Sequence, residues 1–327
     1  MIVLLIILII VIAIMAVGIY QKNTNSICRS KKRLDGKTVL VTGGTSGMGL
    51  RIAMDFADRG ARVIIACPFV EEGTWAREKI VKKTENENVV FKLLDLSSCK
   101  LVRKFAEEIN QEEERLDILI NNAGMGSMNE RLTKDGMNCT MQVNYYCQFM
   151  LTLLLLPLLK KTGTESEPAR IVNTSSVLHN FGTTDFEMMN ALNYWYFLQV
   201  YANSKLCIAI FTRELAKRLK GSNISVNVVD PGAVGTPIFL DLGKYYGAIT
   251  IFLFLCLFKT PWQGAQTAIH VALDKRAGQV SGEFFKNCKL SQASANARSD
   301  LLAKELWKHT QKLIHMSDEE IDSCLHS

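Results

Sequence analysis

Short runs of β-branched residues alternate with longer helical stretches from Gly36 onward, and this alternation constrains the fold more than any other feature of the sequence. Parallel strands cannot be joined by a tight turn, so a helix fills each crossover. Repeating that unit with right-handed crossovers predicts an α/β fold, a doubly wound parallel sheet of the Rossmann type. The predicted strands are residues 38–42, 62–66, 89–94, 117–121, 170–174 and 224–229.

The predicted helices lie between these strands, and the chain length suits one such domain. They are expected to begin near Gly47, Glu71, Cys99, Asp135 and Tyr196. A chain of 327 residues accommodates one α/β domain of roughly 250 residues with extensions better than two small cores. We therefore predict a single domain with this division: an anchor at 1–20, a basic linker at 21–35, the α/β domain at 36–290 and a helical C-terminal extension at 291–327.

The first twenty residues contain no charged side chain and predict a transmembrane helix. About 20 apolar residues are enough to cross the hydrocarbon core of a bilayer. A cleaved signal peptide is the alternative, but the apolar run is long for one and no basic region precedes it. A basic cluster at 29–33 follows the run, and the positive-inside rule then places the α/β domain in the cytosol.

A second apolar run, residues 245–258, holds 14 uncharged residues between Lys244 and Lys259. This length is short for a membrane span and suits either a core helix or a segment in the lipid headgroup region. Five aromatic side chains and the basic flanks favour the headgroup region, but both interpretations stay open.

The composition argues against some classes of partner and of metal site for this chain. The chain has a net charge of +6 but no stretch in which basic and aromatic residues alternate, so no nucleic-acid partner is expected. Nine cysteines without a Cys-x-x-Cys pair, and five scattered histidines, predict neither a disulfide framework nor a metal site. The unpaired cysteines indicate a reducing compartment, in agreement with a cytosolic domain.

The turn after the first predicted strand carries Gly43, Gly47 and Gly49 and opens a helix. Glycine permits positive φ and lets backbone N–H groups approach a pyrophosphate at the helix N-terminus. The spacing differs from the commonest dinucleotide fingerprint, so a tight turn without a ligand is the alternative.

Three further motifs lie at later strand ends or on a following helix. They are Asn-Asn-Ala-Gly at 121–124, Ser175-Ser176 after the fifth strand, and Tyr201-x-x-x-Lys205. The i, i+4 spacing puts the phenol and the ammonium on one helix face, where a cation lowers the tyrosine pKa from about 10 toward that of a general acid/base. Taken singly, each motif has an ordinary explanation as a turn or a solvated helix face.

In this order, and with Pro231-Gly232 after the sixth strand, the motifs resemble the short-chain dehydrogenase/reductase superfamily over most of residues 36–290. Residues 62–67, 94–96, 170–176 and 211–219 look like the membrane-anchored retinol dehydrogenases, and the N-terminal apolar run fits them too. The resemblance implies hydride transfer between C4 of a nicotinamide and a substrate carbonyl carbon.

The resemblance also implies roles for individual residues. Tyr201 would be the general acid/base, and Lys205 would lower its pKa and bind the nicotinamide ribose. Ser176 would polarise the substrate oxygen, and Asn144 would hold a proton-relay water. The residues implied in cofactor binding are Gly43, Thr45, Ser46, Gly47, Met48, Gly49, Asp95, Leu96, Asn122, Ala123, Gly124, Tyr201, Lys205, Pro231, Gly232 and Thr236.

The second strand ends in Ala-Cys-Pro68, whereas retinol dehydrogenases commonly have Ala-Cys-Arg, with the arginine meeting the 2′-phosphate of NADP. No acidic residue stands at this strand end to bind a free ribose hydroxyl either. Arg51 is the nearest basic candidate, although an arginine pointing to solvent from a helix face is the simpler interpretation. We expect NADP, with NAD as the alternative.

The leading hypothesis is an enzyme that interconverts retinol and retinal, or a similar isoprenoid, at the endoplasmic reticulum membrane. A steroid, farnesol-like or polyprenol substrate would use the same chemistry. A catalytically silent, cofactor-binding membrane scaffold is the alternative from a different class, and the intact Ser176, Tyr201 and Lys205 argue against it. A homodimer is common in the resembling family and stays an open expectation.

Overall fold

A central β-sheet organises the molecule, whose computed structural model describes residues 2–126, 130–186, 188–192, 198–235 and 256–326. The strands are β1 Thr38–Thr42, β2 Arg62–Cys67, β3 Val89–Leu93, β4 Ile118–Asn121, β5 Ala169–Thr174, β6 Ile224–Asp230, β7 Phe284–Lys286 and β8 Lys289–Ser291. Their order in the sheet is β3-β2-β1-β4-β5-β6-β7-β8. The first seven run parallel, and β8 pairs antiparallel with β7.

This sheet confirms the predicted doubly wound, Rossmann-type fold. All six predicted strands are present, each within one residue of its predicted bounds. The two strands that the sequence did not predict, β7 and β8, are three residues long, which is too short for a periodic pattern to show. Strand order reverses between β1 and β4, so the crevice beyond their carboxyl ends is the expected ligand site.

Helices cover both faces of the sheet. They are α1 Ile2–Asn23, α2 Gly47–Asp58, α3 Val70–Thr84, α4 Cys99–Glu112, α5 Cys139–Leu154, α6 Leu156–Thr162, α7 Leu198–Arg218, α8 Pro261–Leu273, α9 Asp300–Leu313 and α10 Asp318–His326. The helix expected near Asp135 begins later, at Cys139, because the Asn138 side chain caps it by accepting a hydrogen bond from the Met141 N–H. The predicted start at Tyr196 lies outside the described residues.

Two apolar clusters hold the helices on the sheet. Helices α2, α3 and α8 cover one face, and α4, α5, α7 and α9 cover the other. On the second face Phe149 of α5 lies 4.8 Å, centroid to centroid, from both Phe211 of α7 and Trp307 of α9. The C-terminal extension therefore shares the core of the α/β domain.

The N-terminal helix α1 ends against residues 256–258, the only described part of the second apolar run. Within the described part of the chain, no single helix meets the length and hydropathy expected of a membrane span; one bent pair, α5 with α6 at 51°, meets them by length and composition. The transmembrane anchor thus stays a prediction. A Cβ added at Gly18 would lie 2.7 Å from the Phe258 ring, and Lys22 Nζ donates to the Cys256 carbonyl at 3.0 Å.

The linker after α1 follows the surface of the domain. The Ser26 N–H donates to Asn287 Oδ1 at 2.8 Å, in the turn between β7 and β8. The Cys28 N–H donates to Gln266 Oε1 of α8 at 3.1 Å. We call residues 24–28 the strap, because these bonds fix the end of α1 relative to the sheet.

Candidate active site

Ser176, Tyr201 and Lys205 come together where β5 ends against α7. The Ser176 side chain lies close enough to the Tyr201 phenol to lower its pKa. Lys205 Nζ lies 5.4 Å from the centroid of the Tyr201 ring and donates to the Thr174 carbonyl at 3.1 Å. The neighbouring Ser175 hydroxyl donates to the Lys205 carbonyl at 2.7 Å, so the strand end and the helix are joined beside the three side chains.

Burial controls the protonation of the Tyr201 phenol. It raises the pKa of Tyr201 to about 12; the Ser176 side chain opposes this rise, and the charge of Asp230 adds to it. Burial is thus the largest influence on this phenol in the structure, and the lowering of its pKa by Lys205 stays a prediction. A phenol that keeps its proton at neutral pH is suited to donate it to a carbonyl oxygen.

Lys205 is buried beside a space that Gly124 keeps open. Burial lowers the pKa of Lys205 to about 8, so the ammonium form still predominates at neutral pH. A Cβ added at Gly124 would stand 3.3 Å from Lys205 Nζ and 3.5 Å from Asn144 Oδ1. The glycine leaves both polar groups accessible from the Asn-Asn-Ala-Gly turn.

Asn144 lies in a π-helical turn of α5, residues Gln142–Tyr146, and is fully buried. Its Oδ1 accepts from the Met125 N–H and its Nδ2 donates to the Met125 carbonyl, both at 2.8 Å. Nδ2 also donates to Ser204 Oγ at 3.0 Å, whose hydroxyl donates to the Tyr201 carbonyl. The amide thus couples the loop after β4 to the helix of Tyr201, an arrangement typical of π-turns at functional sites.

The glycine-rich turn packs directly on the loop after β4. Gly43 and Gly47 have φ of 63° and 51°, in the left-handed region that glycine tolerates. A Cβ added at Gly43 would lie 2.9 Å from the Ala123 Cα, and one at Gly49 would lie 2.6 Å from Asn122 Nδ2. The glycines are therefore required by this close approach as well as by the turn.

Polar groups left without partners at this turn fit a dinucleotide. Asn122 Nδ2 donates to the Thr42 carbonyl at 3.1 Å, whereas its buried Oδ1 has no hydrogen-bond partner among the described residues. Ser46 is the N-cap of α2 but makes no side-chain capping bond, so the first N–H groups of that helix stay available for an anion. Met48 packs toward α8, where a Cβ at Gly264 would lie 2.7 Å from its sulfur.

The carboxylate of Glu72 lies beside the glycine-rich turn, and no sequence motif predicted it there. Buried Thr45 donates from Oγ1 to Glu72 Oε1 at 2.5 Å. Glu72 belongs to the first turn of α3, four residues after Pro68, and so lies beyond the strand end where a ribose-binding acid is usually found. Arg51 is exposed on α2, as the simpler interpretation expected.

The remaining predicted cofactor residues that the structure describes lie in the turns after β3 and β6. Asp95 Oδ1 accepts from the Ser97 N–H at 2.8 Å and shapes the turn before α4, while Leu96 is buried in the core. After Pro231, the Gly232 N–H donates to Asp230 Oδ1 at 2.8 Å, with a φ of 81°. Thr236 lies outside the described residues.

Gly235 and Lys259, the two residues that flank positions 236–258, lie side by side. The Gly235 N–H donates to the Lys259 carbonyl at 3.0 Å, and the Lys259 N–H donates to the Ala233 carbonyl at 3.1 Å. These two bonds bring the ends of the 236–258 stretch together. The Lys259 side chain lies beside Gly232, at the expected nicotinamide end of the crevice.

His179 is hydrogen-bonded to the backbone of Ser176, and no sequence motif predicted this contact. The buried ring accepts at Nε2 from the Ser294 N–H at 3.1 Å, so its proton is on Nδ1, which donates to the Ser176 carbonyl at 2.7 Å. Burial lowers the pKa of His179, which keeps the ring neutral. Its partner Ser294 is 115 residues away in the C-terminal extension, so spacing in the sequence gave no signal.

Comparison with known proteins matches this geometry to one family. The model of the short chain dehydrogenase family matches residues 37–245. The chain is 39% identical to retinol dehydrogenase 12 of Bos taurus over 92% of its length and 93% of the relative's. It is 39% identical to retinol dehydrogenase 11 of Homo sapiens over 87% of both chains.

Solved structures give the same result. A crystal structure of an uncharacterised protein from Mycobacterium paratuberculosis has a TM-score of 0.69 at 26% identity, covering 87% of this chain and 95% of that one. The RhlG/NADP active-site complex of Pseudomonas aeruginosa has a TM-score of 0.60 at 29% identity, covering 78% and 95%.

Proposed function

The chain belongs to the short-chain dehydrogenase family and is an NAD(P)-dependent oxidoreductase, and on this premise we propose that it interconverts a lipophilic alcohol and its carbonyl compound. Retinol and retinal are the proposed pair, because the relatives with 39% identity are retinol dehydrogenases. A steroid, farnesol-like or polyprenol substrate is the alternative that the same chemistry serves.

The observation that carries the proposal is the proximity of Ser176, Tyr201 and the Lys205 ammonium where β5 ends against α7. A serine hydroxyl and a protonated phenol can both donate to one carbonyl oxygen and stabilise the negative charge that develops on it. The cation beside them favours the phenolate left after proton transfer. This set is complete in the described chain, which argues against a silent scaffold.

In the proposed mechanism a bound nicotinamide cofactor supplies or accepts the hydride. Tyr201 gives its phenolic proton to the substrate oxygen in reduction and takes it back in oxidation. Ser176 donates a hydrogen bond to the same oxygen, and Lys205 holds a positive charge beside the phenol. Asn144 holds the loop after β4 and the helix of Tyr201 in position relative to each other. We propose that it also holds a relay water.

The proposed cofactor is NADP, supported by the RhlG/NADP complex among the similar structures. Gly43, Gly47 and the first N–H groups of α2 would hold the pyrophosphate, and Asn122 Oδ1 would accept a hydrogen bond from the dinucleotide. Glu72 favours the NAD alternative, because a carboxylate near the adenosine ribose repels a 2′-phosphate and can accept from a free hydroxyl.

The proposed site of action is a membrane surface, that of the endoplasmic reticulum, with the domain in the cytosol. Two features support it. The apolar N-terminal run ends beside Cys256 and Phe258, and the side chain of Lys259, the next residue, lies beside Gly232. A lipid-dissolved substrate could then reach Tyr201 without crossing water. A homodimer remains open.

A substrate panel tests the proposal. The detergent-solubilised full chain is incubated with retinal, farnesal or a ketosteroid and with NADPH or NADH, and absorbance at 340 nm follows cofactor use. We expect turnover of retinal that falls by a factor of about 100 or more in Tyr201→Phe, because general acid catalysis contributes ~10²–10⁴-fold. Binding of cofactor without turnover of any of these substrates would instead favour the scaffold.

A further inference from the structure

Two cysteines that the proposed reaction does not use lie against each other. Cys99 Sγ and Cys147 Sγ are 3.8 Å apart. Cys99 is the first residue of α4 and is partly exposed, whereas Cys147, directly after the π-turn in α5, is fully buried. A disulfide needs the two sulfurs at about 2.05 Å, so a shift of under ~2 Å, within reach of a rotamer change, would bond them.

The surroundings give the two thiols different reactivity. Gln142 Nε2 lies 3.7 Å from Cys99 Sγ and 3.6 Å from Cys147 Sγ, so an amide donor faces both sulfurs. Cys99 is the first residue of α4, where its N–H donates to Asp135 Oδ2 at 2.7 Å, and solvent reaches its partly exposed side chain. The contact with Cys99, together with burial, raises the pKa of Cys147, so that thiol keeps its proton.

We propose that Cys99 and Cys147 form a redox-modification site, at which a hydroperoxide oxidises Cys99 and Cys147 then closes an intrachain disulfide. In the first step the Cys99 thiolate attacks an oxygen of hydrogen peroxide. An S–O bond forms, the O–O bond breaks, and the departing hydroxide takes up a proton as water. The sulfur gives two electrons to the peroxide and becomes a sulfenic acid.

In the second step Cys147 Sγ attacks Cys99 Sγ. The S–S bond forms, the S–O bond breaks, and the hydroxide leaves as water with the proton of the Cys147 thiol. Two thiols and one hydrogen peroxide thus give one disulfide and two waters. A dithiol reductant reverses the modification by thiol–disulfide exchange.

The disulfide would connect to the active site through α5. Cys147 is three residues after Asn144, which bonds to the loop after β4 and to Ser204 of α7. Drawing the π-turn toward α4 would strain these bonds. Displacements of about 1 Å in an active site can cost up to ~100-fold in rate, so we expect a reversible loss of turnover of about tenfold or more.

Peptide mapping tests the bond itself, independently of any enzymatic activity. The full chain is reduced, freed of reductant, exposed to hydrogen peroxide, alkylated and digested. Mass spectrometry should find a peptide pair linked through Cys99 and Cys147, and dithiothreitol should abolish it. Oxidation of Cys99 to sulfinic acid without this linked pair, or linkage to a different cysteine, would overturn the proposal.

Single substitutions separate the disulfide from general oxidative damage. Cys99→Ser should lack the linked peptide and keep its turnover after peroxide, and we expect it to fold normally because the position is partly exposed. Cys324→Ser, at a buried cysteine of α10, is the matched control and should behave as the unmodified chain. If Cys99→Ser loses turnover under peroxide as the unmodified chain does, the disulfide does not cause the loss. The regulatory effect is then refuted, even if the unmodified chain forms the linked peptide.

Discussion

At the scale of the residue, the described site shows how burial sets proton affinities. Lys205 is buried and Tyr201 is half-buried, and the pKa of the phenol rises to about 12 while that of the ammonium falls to about 8. Each shift disfavours the charged form. At neutral pH the site therefore holds a neutral phenol beside an ammonium, the pairing needed for donating a proton to a carbonyl oxygen.

Glu72 is expected to limit the use of NADPH. Glu72→Gln removes the charge beside Thr45 but keeps an oxygen that can accept its hydrogen bond. We expect the ratio of kcat/KM for NADPH to that for NADH to rise about tenfold, since a difference of ~1.4 kcal/mol in electrostatic repulsion has this effect. Steady-state kinetics with both cofactors measures it.

Glu71→Gln, at an exposed acid of the same helical turn, is the control and should leave the ratio nearly unchanged. A ratio that does not rise in Glu72→Gln would show that this carboxylate does not face the 2′ position.

His179 is expected to position Ser176. His179→Phe keeps the aromatic contact with Phe284 but removes both hydrogen bonds, leaving the Ser176 carbonyl and the Ser294 N–H unpaired. We expect a stability loss of about 1–3 kcal/mol and a fall in kcat with little change in the KM for cofactor.

The control for this change is His309→Phe, at a half-buried ring that stacks on Phe186. It should leave kcat unchanged. Equal loss of kcat in the two variants would mean that general stability, and not Ser176, is affected.

At the scale of the element, the sequence was informative wherever a pattern is local. Short β-branched runs predicted six strands within one residue of their bounds, and the helical extension predicted at 291–327 contains α9 and α10. The start of α5 was missed by four residues, since Asn138 and not Asp135 provides the cap. The strap, Glu72 and His179 depend on partners far along the chain, which no local pattern encodes.

After the strap, the linker is attached to the domain a second time, through Lys32 and Glu167, which precedes β5. The Glu167 carboxylate lies 2.5 Å from Lys32 Nζ and 2.6 Å from Lys37 Nζ, and these hydrogen bonds lower the pKa of Glu167 to about 2. A depressed carboxyl pKa stabilises the fold above the unfolded value near 4.5, and this contribution is lost as the pH falls toward 2. The side chains are partly exposed, so the effect is modest.

Glu167→Gln should therefore lower the unfolding temperature at pH 7, and the difference from the unmodified chain should shrink as the pH falls from 4.5 toward 2. Thermal unfolding followed by circular dichroism measures both. Glu165→Gln, at an exposed acid in the same loop, is the control and should show no such pH dependence. A difference that persists at pH 2 would contradict an ionic contribution from Glu167.

At the scale of the whole molecule, the end of α1 lies against Cys256 and Phe258, next to Lys259, whose side chain lies beside Gly232. Helix α1, the strap and the base of the 236–258 stretch are joined by hydrogen bonds through Lys22, Asn287 and Lys259. If α1 enters a bilayer, these bonds fix which side of the sheet faces it. The crevice beyond β1 and β4 would then open beside the membrane surface.

The central claim is that this crevice transfers a hydride to a lipophilic carbonyl while Tyr201 supplies the proton. Its most direct test uses NADPH, and in parallel NADH, carrying deuterium at the transferable position of C4, with retinal as substrate and mass spectrometry of the product. The account predicts retinol with one deuterium on the former carbonyl carbon, and none from Tyr201→Phe. Cofactor binding without deuterated alcohol, for retinal and the other lipophilic carbonyl compounds alike, would contradict it.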